Sequence, residues 1–364
     1  MIAGSEAAAV RSIERAAAYL LAQAVGHFAE AAHEMNFLHR AGFTGLAERQ
    51  SGDLFARATL AHLFLDIAGA LPQASFAQEF QAIARHEADA LAARRLAHRR
   101  GGWSYFPGLP ELPPDADSLA AVLSLFVRIA PELTPLCEGA VDAVIAGTHP
   151  DGSFETLIVA PEDDGRERML WGIRHCWGSG RDVDVVAHFC HALWLWAPER
   201  HIERARQGAR YLLDQQRPDG SWQATWYVGP AYGTALALRL LRETGLGVTA
   251  SERAVRFLLA SQQTDGCWSV GPSGSLQTAL SLLALGEADI DLTHGAMRRG
   301  CEALVRRQLA DGSWQASPWI RMEIGRATGR TLAIATYKSV TVTTGFCLRA
   351  IAFAQARMNS ALSQ

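Results

Sequence analysis

Apolar and polar positions along this chain recur with helical rather than strand spacing, and they do so in two styles. Residues 204–216, 252–262 and 297–308 carry polar side chains on one side and Leu, Ala and Val on the other, the mark of helices that lie on a surface. The stretches that follow them, 232–241, 276–285 and 342–353, are apolar nearly all round, and such helices belong in an interior. The front half repeats the scheme more loosely. Surface-type segments are 7–30, 76–95 and 133–146, and interior-type segments are 53–68, 118–129 and 184–196. The pattern therefore predicts six outer and six inner helices in strict alternation.

A short repeat punctuates this alternation. Gln216, Asp219, Gly220 and Trp222 recur as Gln262, Asp265, Gly266 and Trp268 and again as Gln308, Asp311, Gly312 and Trp314, with 46 residues from one tryptophan to the next. A worn copy runs from His149 to Phe154, and a relic is left at Gly101-Gly102-Trp103. The Asp-Gly step ends each outer helix, because glycine tolerates the positive φ of a helix terminus. Six such pairs close into an (α/α)6 barrel whose inner helices all start at one mouth. The expected fold is therefore all-α, with residues 1–364 as a single barrel domain; an open solenoid is the competing arrangement. Residues 103–114, 155–181 and 315–338 are too long for simple connections and are expected to shape the mouth.

Composition narrows the class. With 49% hydrophobic and 20% charged residues the chain has the makings of a packed core rather than of a disordered segment. A net charge of −3 provides no basic excess for nucleic acid. Apolar runs such as 185–196 are interrupted by His188 and His191 and are too short to span a bilayer. Residues 1–15 show no basic stretch leading into an apolar block, and the six cysteines form no C-x-x-C pair. Free thiols in a reducing, cytoplasmic setting are the expectation.

The repeat resembles the QW motif of squalene–hopene and oxidosqualene cyclases, a pattern that protein prenyltransferase β-subunits and other α/α barrels approach more distantly. Three further segments point the same way. Gly101-Gly102-Trp103-Ser104-Tyr105, followed by Pro114-Asp115-Ala116-Asp117-Ser118, is similar to the G-G-W-x-F and P-D-x-D-D-T-A elements of those enzymes. Asp184-Val185-Val186-Ala187-His188 is similar to their D-V-T-A-H element, and Trp226 with Tyr232-Gly233-Thr234 to their W-x5-Y-G-T. The segments keep the family order over residues 100–290. The chain departs from the pattern at Ser118 and Leu119, where the family has Asp and Thr. Its length also leaves no room for the second α-barrel domain of squalene–hopene cyclase.

The resemblance implies a class II terpenoid cyclase, an isomerase that begins carbocation cyclisation by protonating an alkene or epoxide and needs no cofactor. Asp117 falls on the family's general acid and His188 on the histidine that hydrogen-bonds it. Asp115 and Asp184 stand as helpers, the latter one helical turn before His188. Tyr105, Trp226 and Tyr232 fall on aromatic positions that line the cavity and face the cation. The implied partner is an apolar prenyl-type small molecule, a shorter polyprenyl chain or a prenylated ring compound rather than squalene. Peripheral membrane contact is a second implied partnership, because the family's triterpene cyclases dock on bilayers.

Physical chemistry alone supports part of this and leaves alternatives open. Asp117 precedes an inner helix, where free N–H groups and the helix dipole favour a carboxylate, while burial beside Asp115 favours the neutral acid. A general acid needs both: loaded before reaction and stable after it. The same Asp-Ala-Asp also reads as an ordinary helix cap, and His188 as a packed core histidine. Zinc at His175-Cys176 or at His188, Cys190 and His191 is a weaker reading, because residues two apart on a helix point about 200° apart. Trp171, Trp177, Trp194, Trp196 and Phe346 serve equally as core or as cavity lining. Arg321, Arg326, Arg330 and Lys338 would suit an anionic head group or simply face solvent. Two rival functions follow: an acid-dependent isomerase or cyclase of a non-terpenoid or anionic prenyl substrate, and a non-catalytic lipid-binding barrel.

Overall fold

The structure is a computed structural model and describes residues 2–37, 49–97, 99–269, 271, 274–290 and 295–362. Helices alternate outer and inner along the chain. Outer α1 (Ile2–Val25) leads to inner α2 (Leu54–Ala70), outer α3 (Ala77–Ala93) to inner α4 (Ala116–Ile129), and outer α5 (Glu138–Ala146), past the short α6 (Arg166–Gly172), to inner α7 (Val183–Trp196). The same order continues with outer α8 (Pro198–Gln215) and inner α9 (Ala231–Thr244), then outer α10 (Val248–Ser261) and inner α11 (Gly274–Glu287). Outer α12 (Gly295–Arg307) and inner α13 (Val340–Leu362) complete it. Each inner helix packs on the next, and α13 returns to pack on α2, so the ring is closed. The expected all-α barrel is the fold observed.

The repeat explains the closure. In its three full copies the tryptophan Nε1 donates back to the outer helix that it ends, Trp222 to the Leu212 carbonyl at 2.7 Å, Trp268 to Leu258 at 2.6 Å and Trp314 to Leu304 at 2.8 Å. Each tryptophan N–H in turn donates to a threonine of the following inner helix, Thr234, Thr278 or Thr344, at 3.1 Å. The glutamine amide reaches the next outer helix: Gln216 donates to the Ala250 carbonyl at 2.7 Å and Gln262 to Ala296 at 2.8 Å. Gln308 donates to Ser12 of α1 at 2.9 Å, which stitches the last outer helix to the first. Gly266 shows why the turn demands glycine. Its φ is +89°, and a Cβ there would meet the Arg299 carbonyl oxygen at 2.5 Å.

The structure departs from the sequence reading in the connections. Helix α5 starts at Glu138 rather than 133, because residues 131–137 form a tight 3-10 turn around Pro135, which has no N–H to give an α-helix. Residues 315–338 form an antiparallel hairpin, β3 and β4, instead of a loop. Before it, β1 (His33–Asn36) pairs with β2 (Arg49–Gly52), and β3 (Ser317–Ile324) pairs with β4 (Ala333–Ser339). In β3, Ile320, Met322 and Ile324 point inward while Arg321 and Glu323 face outward, a period of two over too few residues to stand out beside the helical signals. Residues 155–181 contain α6 and a wide turn at Ile173–Trp177. All three segments gather over the N-terminal ends of the inner helices. Among the described residues, no helix is long and apolar enough to cross a membrane.

Candidate active site

Helix α4 begins with Asp115 as its cap: the side chain leaves the helix and accepts the Ser118 N–H at 2.7 Å. Asp117 follows in the first turn, where the unpaired N–H groups of the helix start stabilise negative charge. It is 7% exposed, and both its oxygens are engaged by side chains distant in sequence. Oδ1 lies 2.6 Å from His188 Nδ1 on α7, and Oδ2 lies 2.5 Å from the Tyr227 hydroxyl. The helix-cap reading thus belongs to Asp115, and Asp117 is the centre of a buried polar cluster.

Tyr227 is the residue that sequence reasoning missed. It lies within the W-x5-Y-G-T segment, but attention fell on Trp226 and Tyr232 at its ends. Residues 226–228 run alongside β3, with Val228 N–H donating to the Trp319 carbonyl and Arg321 N–H to that of Trp226, both at 2.8 Å. This pairing aims the Tyr227 side chain at Asp117. Burial first, then the Asp117 charge, raises its phenol pKa well above the ordinary value, so it remains a donor.

The two helper carboxylates differ. Burial first, then the charge of Asp117, pushes the Asp115 pKa up to about 7, against stabilising bonds from Ser118. Its Oδ2 is buried with no hydrogen-bond partner among the described residues, as suits a neutral carboxyl better than an anion. Asp184 is fully buried and is also pushed toward the neutral form, by burial first and then by Asp182 and Asp117. Its hydrogen bonds go to the N–H groups of Thr225 and Trp226, at 3.2 and 3.3 Å, rather than to His188. Asp184 therefore anchors the strand that carries Tyr227, although the one-turn spacing had suggested that it orients the imidazole.

Aromatic rings surround the cluster. Tyr227 lies 4.3 Å from Tyr232 and 5.8 Å from Trp319, ring centre to ring centre, and Phe55 lies 6.2 Å from Tyr227 and 6.4 Å from Tyr105. Phe346 closes on Trp319 at 5.5 Å. Of the predicted aromatics, Tyr105 and Trp226 line a cavity of about 50 Å³ bordering Asp115 and Asp117, together with Trp177. Tyr232 and Phe346 line a second, larger cavity on the other side of the cluster, which His188 also borders. Trp226 is fixed by two contacts: its Nε1 donates to Asp182 at 2.8 Å, and the Arg326 guanidinium lies 4.6 Å above its ring. Trp171 stacks on His175 and Trp196 on His201, away from the cavities.

The remaining candidates divide plainly. Arg326 pairs with Asp182 at 3.3 Å and Arg321 with Glu323 at 3.0 Å, so these mouth cations are spoken for. Among the described residues, no three His, Cys, Asp or Glu side chains converge on a common metal position. Cys190 points to the Arg204 carbonyl on α8, away from His188.

Comparison with known proteins agrees with this architecture. Residues 179–334 match the family model of the squalene–hopene cyclase C-terminal domain. Drimenyl diphosphate synthase of Streptomyces showdoensis is 29% identical over 243 residues, 64% of this chain but 41% of that protein. Squalene–hopene cyclase of Alicyclobacillus acidocaldarius is 30% identical over 149 residues, covering 36% of this chain and 23% of its own. The chain thus spans less than half the length of these relatives. Among solved structures, the type II terpene cyclase MstE from Scytonema, in complex with geranylgeranyl dihydroxybenzoate as substrate, shares the fold. Its TM-score is 0.69 at 18% identity, over 98% of this chain and all of that one. Motif order, the helix ring and these matches together make this chain a member of the class II terpenoid cyclase family.

Proposed function

We propose that the chain is a single-barrel class II terpenoid cyclase, an isomerase in which Asp117 protonates an alkene or epoxide of a polyprenyl or prenylated substrate. The observation that carries this reading is the two-sided clamp on one buried carboxyl. With His188 Nδ1 protonated, its N–H donates to Oδ1 and leaves the carboxyl proton on Oδ2, the oxygen beside Tyr227 and the cavity. When that proton passes to the substrate carbon, the Tyr227 O–H turns to donate to the new carboxylate, joining His188 and the α4 N-terminus. These donors act on charge that exists only after transfer, which is where stabilisation accelerates reaction. A proton from solvent then recharges Asp117.

The cation left on the substrate faces Tyr105, Phe55, Trp226, Tyr232 and Trp319. An aromatic face stabilises a desolvated cation by about 2 kcal/mol. The gap at Asp117, about 50 Å³, holds only one or two waters at roughly 30 Å³ each. Admission of a prenyl chain therefore displaces the roof formed by Leu112, Leu157 and β3. The C15 to C20 prenyl range suggested by drimenyl diphosphate synthase and by the MstE substrate is the first to screen. Once a substrate is found, Asp117→Asn is expected to lower its turnover about 10²–10⁴-fold, the usual contribution of a general acid, with the melting temperature retained. Undiminished turnover in that variant would remove Asp117 from the role.

A further inference from the structure

Beyond the acid cluster, toward the C-terminal ends of the inner helices, the barrel bore widens into a cavity of about 450 Å³. That lies within the roughly 300–1,000 Å³ of sites that take small molecules. Its wall near the acid is apolar, with Leu63, Leu236, Leu282 and Phe346. The far wall carries the guanidiniums of Arg128, Arg239, Arg242, Arg349 and Arg357, faced by the carboxylates of Asp66, Glu243 and Glu287.

The pairing is lopsided. Asp66 is shared by Arg128 at 2.6 Å and Arg349 at 2.5 Å, and Glu287 by Arg239 at 2.6 Å and Arg242 at 2.7 Å. Arg242 also reaches Glu243 at 2.8 Å, and the acidic partner of Arg357, Asp289, lies 3.8 Å off and outside the cavity. Five guanidiniums against three carboxylates leave two positive charges on the wall. The imidazoles add none. His62 Nε2 donates to the Ala121 carbonyl at 2.8 Å, and its Nδ1 lies 3.0 Å from Arg128, which can only donate, so the ring is neutral. Burial and then the Arg128 charge bring its pKa down to about 3. His191 is likewise held neutral, by burial first and then by Arg239.

We infer that this end of the bore is a binding site for an anion of the phosphate or diphosphate class, with the apolar wall accommodating any organic tail. Forked guanidiniums converging from α4, α9 and α13 match an anion with several oxygens, which accepts paired, charge-assisted hydrogen bonds. The excess charge disfavours a cation and leaves a neutral ligand without a matching field. The anion is either a free (di)phosphate or the head group of a prenyl chain.

Isothermal titration of the full chain with inorganic pyrophosphate and with inorganic phosphate tests the site without turnover. Saturable one-to-one binding that weakens with salt is expected, and equally in Asp117→Asn, so the outcome is independent of the acid assignment. Arg242 and Arg357 have side chains 41% and 43% exposed, so the Arg242→Gln/Arg357→Gln double variant should stay folded, as a melting curve would show. Its pyrophosphate affinity should fall about tenfold or more, the loss of one charge-assisted hydrogen bond or more. Absence of saturable binding to the unaltered chain, or unchanged affinity in the folded double variant, overturns the inference. Displacement of farnesyl diphosphate by pyrophosphate marks a head-group site, and simultaneous binding of the two marks a free-anion site.

Discussion

At the scale of single residues the chemistry depends on what touches one carboxyl. Tyr227→Phe removes the donor on Asp117 Oδ2 and little volume, so kcat should fall about 10- to 100-fold with KM little changed, as for loss of an interaction made mainly in the transition state. Steady-state kinetics separate this from a packing defect, which would move KM and the melting temperature together. Asp115 yields a stability prediction. Its folded pKa, about 7, is raised above the ordinary 3.8 by burial, so the folded state holds a proton that the unfolded chain releases. That contribution is present in full below about pH 4 and is lost as pH rises to about 7. Urea titrations at pH 4 and 7 should show a smaller stability loss over that range in Asp115→Asn, which keeps the cap but cannot titrate. A slope equal to that of the unaltered chain would refute it. Asp115, Asp117 and His188 were all legible as residues, because a family pattern names them in order. Tyr227 was not, because its importance comes from a strand pairing between segments almost a hundred residues apart.

At the scale of elements the helices follow from periodicity, and the turns from four residue types at fixed spacing. Gly266→Ala should destabilise the fold by about 1–3 kcal/mol, since a non-glycine residue at that φ is strained and its Cβ collides with the Arg299 carbonyl. Chemical denaturation reads the difference directly. The hairpin β3–β4 was taken for a loop although Ile320, Met322 and Ile324 alternate with Arg321 and Glu323. Four or five alternating residues between two helices carry a weak signal, and only the neighbouring segment at 226–228 stabilises the strand. That strand supplies Trp319, which packs among Phe55, Tyr227, Tyr232 and Phe346, so the element missed in sequence carries part of the aromatic wall.

At the scale of the molecule the question was whether six helix pairs close or spiral open. Gln308 answers it, for its amide spans from the last repeat to Ser12 of the first helix, just as Gln216 and Gln262 span between neighbours. Gln308→Ala should therefore cost about 1–2 kcal/mol, close to Gln262→Ala, because each removes the same set of hydrogen bonds. In an open spiral the terminal glutamine would lack its partner, and its replacement would cost clearly less. By itself the sequence determined the helix alternation, the turn chemistry, and the acid and its histidine, because those depend on spacing along the chain. Only the tertiary structure decided ring closure, the place of Tyr227 and Trp319, the turning of Asp184 from the imidazole to a backbone strand, and the surplus of guanidiniums in the bore. Each of these is a meeting of side chains from separate helices, and the free energy of such contacts depends on distance in space, which one-dimensional order does not encode.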